Sequence, residues 1–312
     1  MNIKTHFLNL VQAKGGFIPL HAHFDKSNLV TPELLKKAQQ VTMQEKWSLY
    51  RDLKNSYTYH DVYARSEKSL LKFIKQKVSL VRTFADADTF VGQMCVDALS
   101  ELKENYSDII DIEIAVQPLE GVVDFDSRLV FEEACAKADL VGALPSRDKN
   151  PAEHLRIIFD IASKYNIHVD AHLDQLNSPL EKETELFLDI KDEVKFTGRT
   201  NAVHSISLSC YDISYQHEIT KRMAEENVGL IICPSAALSM KPVNANAPIH
   251  NSIAPIQMAL SNQVSVGLGI DNISDLFMPL VDGDMWFECR LLMEATRCYD
   301  LDLISTIATT YI

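Results

Sequence analysis

Short apolar runs alternate with amphipathic stretches along this chain. Eight runs rich in β-branched and apolar residues stand out, at 16–24, 79–85, 111–118, 140–145, 167–174, 201–205, 228–234 and 264–271. Several, such as VGLIICP and VSVGLGID, are almost continuously apolar, the pattern of parallel strands covered on both faces. The stretches between them have helical periodicity. At 151–165 and 219–227 charges gather on one side, and in the second Ile219 and Met223 lie on the other. Strands alternating with helices predict parallel βαβ units. From the fourth run to the eighth the starts fall roughly 25–35 residues apart, the size of one such unit.

Eight units predict an α/β protein built as a (β/α)8 TIM barrel around a parallel sheet. A doubly wound open sheet is the competitor, but it would bring a Gly-rich phosphate turn, and no G-x-G-x-x-G occurs. No linker or low-complexity tract divides the chain, so 1–312 reads as one domain without an evident β-sandwich. Strand one falls near 16–24 and strand eight near 264–271. The connection between the first two runs, near 28–78, is long and charged and reads as two helices over one mouth of the barrel.

Composition narrows the partners. Thirty Lys and Arg against 43 Asp and Glu give a formal net charge of −13, which argues against nucleic acid, whose binding relies on clustered cations. No window reaches the ~18 uninterrupted apolar residues of a membrane span. Residues 1–16 carry scattered charges and no small-residue cleavage site, unlike a signal peptide. The six cysteines are widely spaced with no C-x-x-C pair, the usage of buried reduced thiols in a cytoplasmic protein.

Histidines mark the strand ends. His21 and His23 close the first run in FIPLHAHFDK; side chains at i and i+2 of a strand share a face, and at the C-terminal end of a barrel strand that face is the mouth. On its own an H-x-H serves equally as two packed or solvated histidines. His172 ends the fifth run, His204 the sixth and Asp271 the eighth, so five residues from four strand ends meet at one mouth. Three imidazoles and a carboxylate suit a divalent metal that retains a water.

The ordered landmarks HAHFDK, LVRTFADAD, IEIAVQPLEG, VGALP, DAHLDQ, AVHSISLSCYD and GIDNISDLFMPLVDGDM resemble the amidohydrolase superfamily, most closely its cytosine deaminase branch. The resemblance runs from about Phe17 to the end of the chain. It implies a metal-dependent hydrolase that cleaves a C–N bond of a small, heterocyclic or amide-like substrate through a metal-activated water. The implied ligands are His21, His23, His172 and Asp271, with His204 beside the water and Asp271 able to accept its proton. Gln117, Phe84 and Asn272 would face the substrate; Asn272 and Asp275 could equally orient the metal carboxylate or cap the next helix. The fourth strand ends in GALPSR without the lysine that bridges two metals, so one ion, zinc or iron, is expected.

Two positions depart from the branch. Where cytosine deaminases carry H-C-D-E, this chain has His172-Leu173-Asp174-Gln175, and an amide cannot take up and return a proton. Either Asp174 turns inward to replace the missing Glu, or Asp271 alone moves the proton, as in members that cleave amides or ureides. The alternative is a barrel with impaired hydrolysis that binds a metal or ligand. Phe84 stands where relatives often have His, making one wall apolar. Asp25 and Lys26 read as a structural salt bridge or cap. The 235–252 stretch reads as a loop over the mouth, from which Met240 or His250 could reach substrate. Cys233 lacks a base of its own and makes a poor nucleophile. Should the barrel lack its last helix, an exposed apolar strip would favour a homo-oligomer.

Overall fold

The computed structural model of the chain describes residues 2–38, 43–239 and 253–312. Helix α1 (Ile3–Ala13) precedes β1 (Ala22–His23), which leads into α2 (Pro32–Ala38), α3 (Met43–Lys54) and α4 (Tyr59–Lys75). Regular alternation follows: β2 (Leu80–Asp86), α5 (Met94–Asn105), β3 (Asp111–Gln117), α6 (Phe125–Cys135), β4 (Leu140–Ala143), α7 (Pro151–Tyr165), β5 (His168–Leu173) and α8 (Glu183–Glu193). Next come β6 (Thr200–His204), α9 (Ile213–Glu225), β7 (Val228–Ile232), α10 (Pro234–Ser239), α11 (Ile256–Ser261), β8 (Val266–Leu268), β9 (Asp271–Asn272), α12 (Met285–Thr296) and α13 (Leu301–Ile307).

Strands β2 to β8 pair in chain order, all parallel, in one curled seven-stranded sheet with helices packed on it. The continuous apolar runs are buried on both faces as expected: every residue of β7 and β8 is buried. In place of eight regular strands there are seven and an irregular first. Backbone from Phe17 to His21 bonds to both edges of the sheet. On one side Ser79 N–H donates to Phe17 O (2.9 Å) and Arg82 N–H to Pro19 O (2.9 Å); on the other Leu20 N–H donates to Leu268 O (2.8 Å) and Ile270 N–H to His21 O (2.8 Å). Pro19 has no N–H for a ladder, so only Ala22 and His23 pair regularly, with Asp271 and Asn272 of β9. Gly269 separates β8 from β9. A Cβ there would lie 2.6 Å from both Cys233 Sγ and His21 Cβ, so only glycine lets the strand eight backbone approach the first histidine.

The connection after β1 holds three helices rather than two. Within α3, Trp47, Tyr50 and Lys54 are buried, a stripe at i, i+3 and i+7 that turns one face onto the sheet end. The described part of the expected loop after β7 begins as helix α10, whose Ser235 N–H donates to Glu288 Oε2 (3.0 Å); Met240 and His250 lie outside the described residues. At the ends, α1 and α13 are tied by Lys14 Nζ, which donates to Ser305 Oγ (2.6 Å) and Thr306 Oγ1 (3.1 Å), while Ile304 and Ile307 are buried. No described helix is long and apolar enough to cross a membrane.

Candidate active site

The C-terminal ends of the strands bring the predicted histidines and aspartate to one point. His21 follows Leu20 into the mouth, His23 is in β1, His172 is in β5, His204 ends β6 and Asp271 begins β9. His21 Nε2 and His23 Nε2 each lie 3.2 Å from Asp271 Oδ1, and His204 Nε2 lies 3.9 Å from Asp271 Oδ2. His172 Nε2 is 3.5 Å from His23 Nε2. Ligand atoms of His21, His172, His204 and Asp271 all fall within 4.8 Å of one another. Ligands of a tetrahedral zinc at 2.0–2.2 Å are roughly 3.3–3.6 Å apart, and the separations here, from 3.2 Å up to 4.8 Å, lie around and somewhat above that range.

The donor chemistry fits a cation as well as the spacing does. His172 Nδ1 lies 3.3 Å from the Ala143 carbonyl oxygen, which can accept its proton and leave the Nε2 lone pair aimed at the cluster. The Nδ1 atoms of His21, His23 and His204 are buried without a hydrogen-bond partner. Burial, the largest influence, lowers the pKa of His21 and His23, lowers His172 far below the usual imidazole range with help from its neighbouring histidines, and brings His204 down to about 4. Neutral imidazoles are the metal-binding form. Burial alone would raise the Asp271 carboxyl, but bonds from His21 and His23 outweigh it and hold it well below the usual carboxylate range. His204 (φ 74°) and Asp271 (φ 67°) both hold left-handed backbone conformations, a strain of about 1–3 kcal/mol each that functional sites commonly carry.

A small cavity, partly open to solvent, lies over this cluster. Its polar lining consists of His23, His172, His204 and Asp271 with Lys26, Lys46, Gln117, Gln175, Ser239 and Asn272; its apolar lining includes Trp47, Leu119, Leu144, Phe277 and Met278. Lys26 Nζ donates to Gln117 Oε1 (3.1 Å) and Asp86 Oδ1 (2.6 Å). Asn272 Nδ2 donates to Asp275 Oδ2 (2.5 Å), which also accepts from Tyr50 OH (2.7 Å). Asn272 therefore borders the cavity and is oriented by Asp275.

Two predicted residues fall elsewhere. The Asp174 carboxylate does not turn inward. Its residue has φ 52°, and its oxygens accept from the Glu183 N–H (2.7 Å), the Thr184 N–H (3.1 Å) and Thr184 Oγ1 (2.5 Å), so it fastens the start of α8 and cannot replace the missing Glu. Phe84 does not border the cavity among the described residues. It is fully buried beneath the cluster, with ring centroids 4.5 Å from His21, 5.4 Å from His23 and 4.9 Å from His172, and it supports the histidines instead of meeting substrate.

The sequence did not single out Trp47; for Lys26 the expected salt bridge is present, to Asp86, and the residue borders the cavity as well. The stripe of Trp47, Tyr50 and Lys54 was the available signal for the first. Lys26 follows His23 by three residues, and nothing local distinguishes a cavity-bordering lysine from a surface salt bridge.

No protein-family model matches the chain. It is similar to an uncharacterized protein of Haemophilus influenzae, 30% identical over 258 residues that span 81% of this chain and 94% of that protein. An N-isopropylammelide isopropyl amidohydrolase of Pseudomonas sp. is 23% identical over 290 residues, 88% of this chain and 68% of that enzyme. Among solved structures, the 5-methylcytosine deaminase of Klebsiella pneumoniae liganded with 5-fluorocytosine superposes with a TM-score of 0.84 at 21% identity, covering 94% of this chain and 74% of that one.

Proposed function

We propose that the chain is a member of the amidohydrolase superfamily, a reading supported by its likeness to an amidohydrolase and to the 5-methylcytosine deaminase fold, and that it hydrolyses a C–N bond of a small heterocyclic substrate with the help of one divalent metal ion, zinc or iron. The observation that carries this reading is the convergence of imidazole nitrogens and one carboxylate beside a cavity. We also read the 17–23 segment, bonded to both edges of the sheet, as the eighth stave of a closed barrel.

His21, His172 and Asp271, with His23 or His204, would hold the ion. When bound, it supplies Lewis acidity that lowers the pKa of a water and draws charge from the carbon under attack. The chain's own groups then govern protons and position. Asp271 presents Oδ1 to His21 and His23 and Oδ2 towards His204 Nε2, so the carboxylate and the neutral His204 can take a proton and return it to the leaving nitrogen. Gln117 and Asn272 present amides, and Lys26 an ammonium, to polar atoms of the substrate. The substrate class follows the relatives, whose names give N-isopropylammelide and 5-methylcytosine.

Asp271→Ala and His21→Ala are expected to lose bound metal and to lower turnover of N-isopropylammelide or 5-methylcytosine by about 10²–10⁴-fold, the range of a lost acid–base group. Full activity in either variant sinks the reading. One observation favours a second reading, a metal- or ligand-binding protein with impaired hydrolysis: Gln175 stands at the cavity where an acid would shuttle the proton. Deamination that appears only in Gln175→Glu would favour it, whereas turnover by the natural chain favours hydrolysis.

A further inference from the structure

Resting on the hydrolase reading above, we propose that Trp47 is a specificity-determining residue, forming with Leu119 and Leu144 an apolar subsite for an alkyl substituent on a planar heterocyclic substrate. The cavity lining combines the candidate metal-binding and amide groups, with Lys26 and Lys46, and this apolar cluster, against which Phe277 packs. A wholly polar, open-chain amide would leave the apolar lining facing water. A ring carrying an apolar group satisfies both kinds of lining at once.

Trp47 is held in place from around the mouth. Lys54 Nζ reaches Asp86 Oδ2 (2.9 Å) and Asp88, Arg51 binds Glu120 (2.6 Å), Tyr50 OH donates to Asp275 (2.7 Å) and Lys46 Nζ donates to the Phe277 carbonyl (3.2 Å). Helix α3 is thus fastened to the segments after β2, after β3 and after β9. The Arg147 guanidinium stacks 4.2 Å from the Trp47 ring centroid and its Nε donates to the Leu119 carbonyl, so a cation covers part of the ring and also fixes a neighbouring wall residue. Trp47 is 8% exposed, and what it presents to the cavity is rigid ring surface, whose contact with an alkyl group or a ring is favourable without further ordering.

The chain has two tryptophans, and Trp286 lies away from the cavity against Phe7 (5.3 Å). In a Trp286→Phe chain supplied with Zn²⁺, the emission of Trp47 reports the subsite directly. Two probe pairs share a ring and differ in one alkyl group: N-isopropylammelide against ammelide, and 5-methylcytosine against cytosine. The alkylated member of at least one pair is expected to shift the emission and to bind at least ten-fold more tightly. Trp47→Ala should bring that ratio within about two-fold, and Trp47→Phe should restore part of it. A preference that survives Trp47→Ala, calorimetric binding without a change in emission, or no binding by either pair overturns the proposal. Binding with the expected preference but no turnover would instead remove the hydrolase reading and leave the subsite standing.

Discussion

Two buried charged regions lie side by side at the sheet end, and they are built on opposite principles. In the first, Lys26 and Lys54 share the Asp86 carboxylate, at 2.6 Å and 2.9 Å, with Asp88 beside Lys54 and Asp25 3.9 Å from Lys26. Burial works against both ammonium groups, yet the neighbouring carboxylates outweigh it and raise both pKa values. Each ammonium group here has a carboxylate partner, while Asp25 Oδ1 is buried without a hydrogen bond. In the second region four histidines crowd one carboxylate, three of them with an unpartnered ring nitrogen, and burial lowers the pKa of each. The Nε2 atoms of His21, His23 and His204 face the Asp271 carboxylate, while their Nδ1 atoms are the ones left without a partner. The first region pairs opposite charges of the chain; the second gathers ring nitrogens around a single carboxylate.

The comparison breaks most sharply at Asp86. Asp86→Asn leaves two buried ammonium groups without their shared charge, and removing one partner of a buried pair typically costs about 3–5 kcal/mol; chemical denaturation should read a loss of that size. If stability is unchanged, the network is not the support described here. The histidine cluster should behave in the reverse sense. Adding Zn²⁺ to metal-free protein should raise its stability by about 2.7 kcal/mol at a hundred-fold excess over Kd, with the gain absent in Asp271→Asn. A protein whose melting ignores zinc would contradict the fit of spacing and donor chemistry.

The smallest effect is in pH. His204 falls from an ordinary 6.5 to about 4 in the fold, so the native state disfavours its proton. Its contribution to stability is complete above pH 6.5 and is lost as the pH falls towards 4, at about 1.4 kcal/mol per pH unit in that window. Glu288, raised to about 7 by burial despite its bonds from Ser235, acts oppositely: its cost accumulates as the pH rises from 4.5 to 7. Metal-free His204→Asn should therefore show a flatter acid limb than the natural chain in melting curves recorded between pH 4 and 6.5. An identical slope would mean that His204 is not buried in its neutral form.

Much of this was legible along the chain. The apolar runs marked β2 to β8 because burial on both faces writes itself as an unbroken apolar string. The ends of those runs marked His172, His204 and Asp271, because strand direction and alternation carry a side chain to a predictable place. Strand one was harder: Pro19 interrupts the ladder, and its two edges are satisfied by different partners far apart in sequence. Asp174 was misleading for a related reason. An inward turn needed favourable loop geometry two residues beyond His172, and the N–H groups of Glu183 and Thr184, nine and ten residues on, captured the carboxylate instead.

Sequence alone determined the parallel αβ alternation and the imidazoles and carboxylate placed at the strand ends, since each depends on local pattern or identity. Tertiary structure decided which of those groups share one point, which acid serves a helix instead, and that a tryptophan from the long first connection covers the cavity. Those outcomes rest on contacts between segments many residues apart, whose geometry no local periodicity encodes.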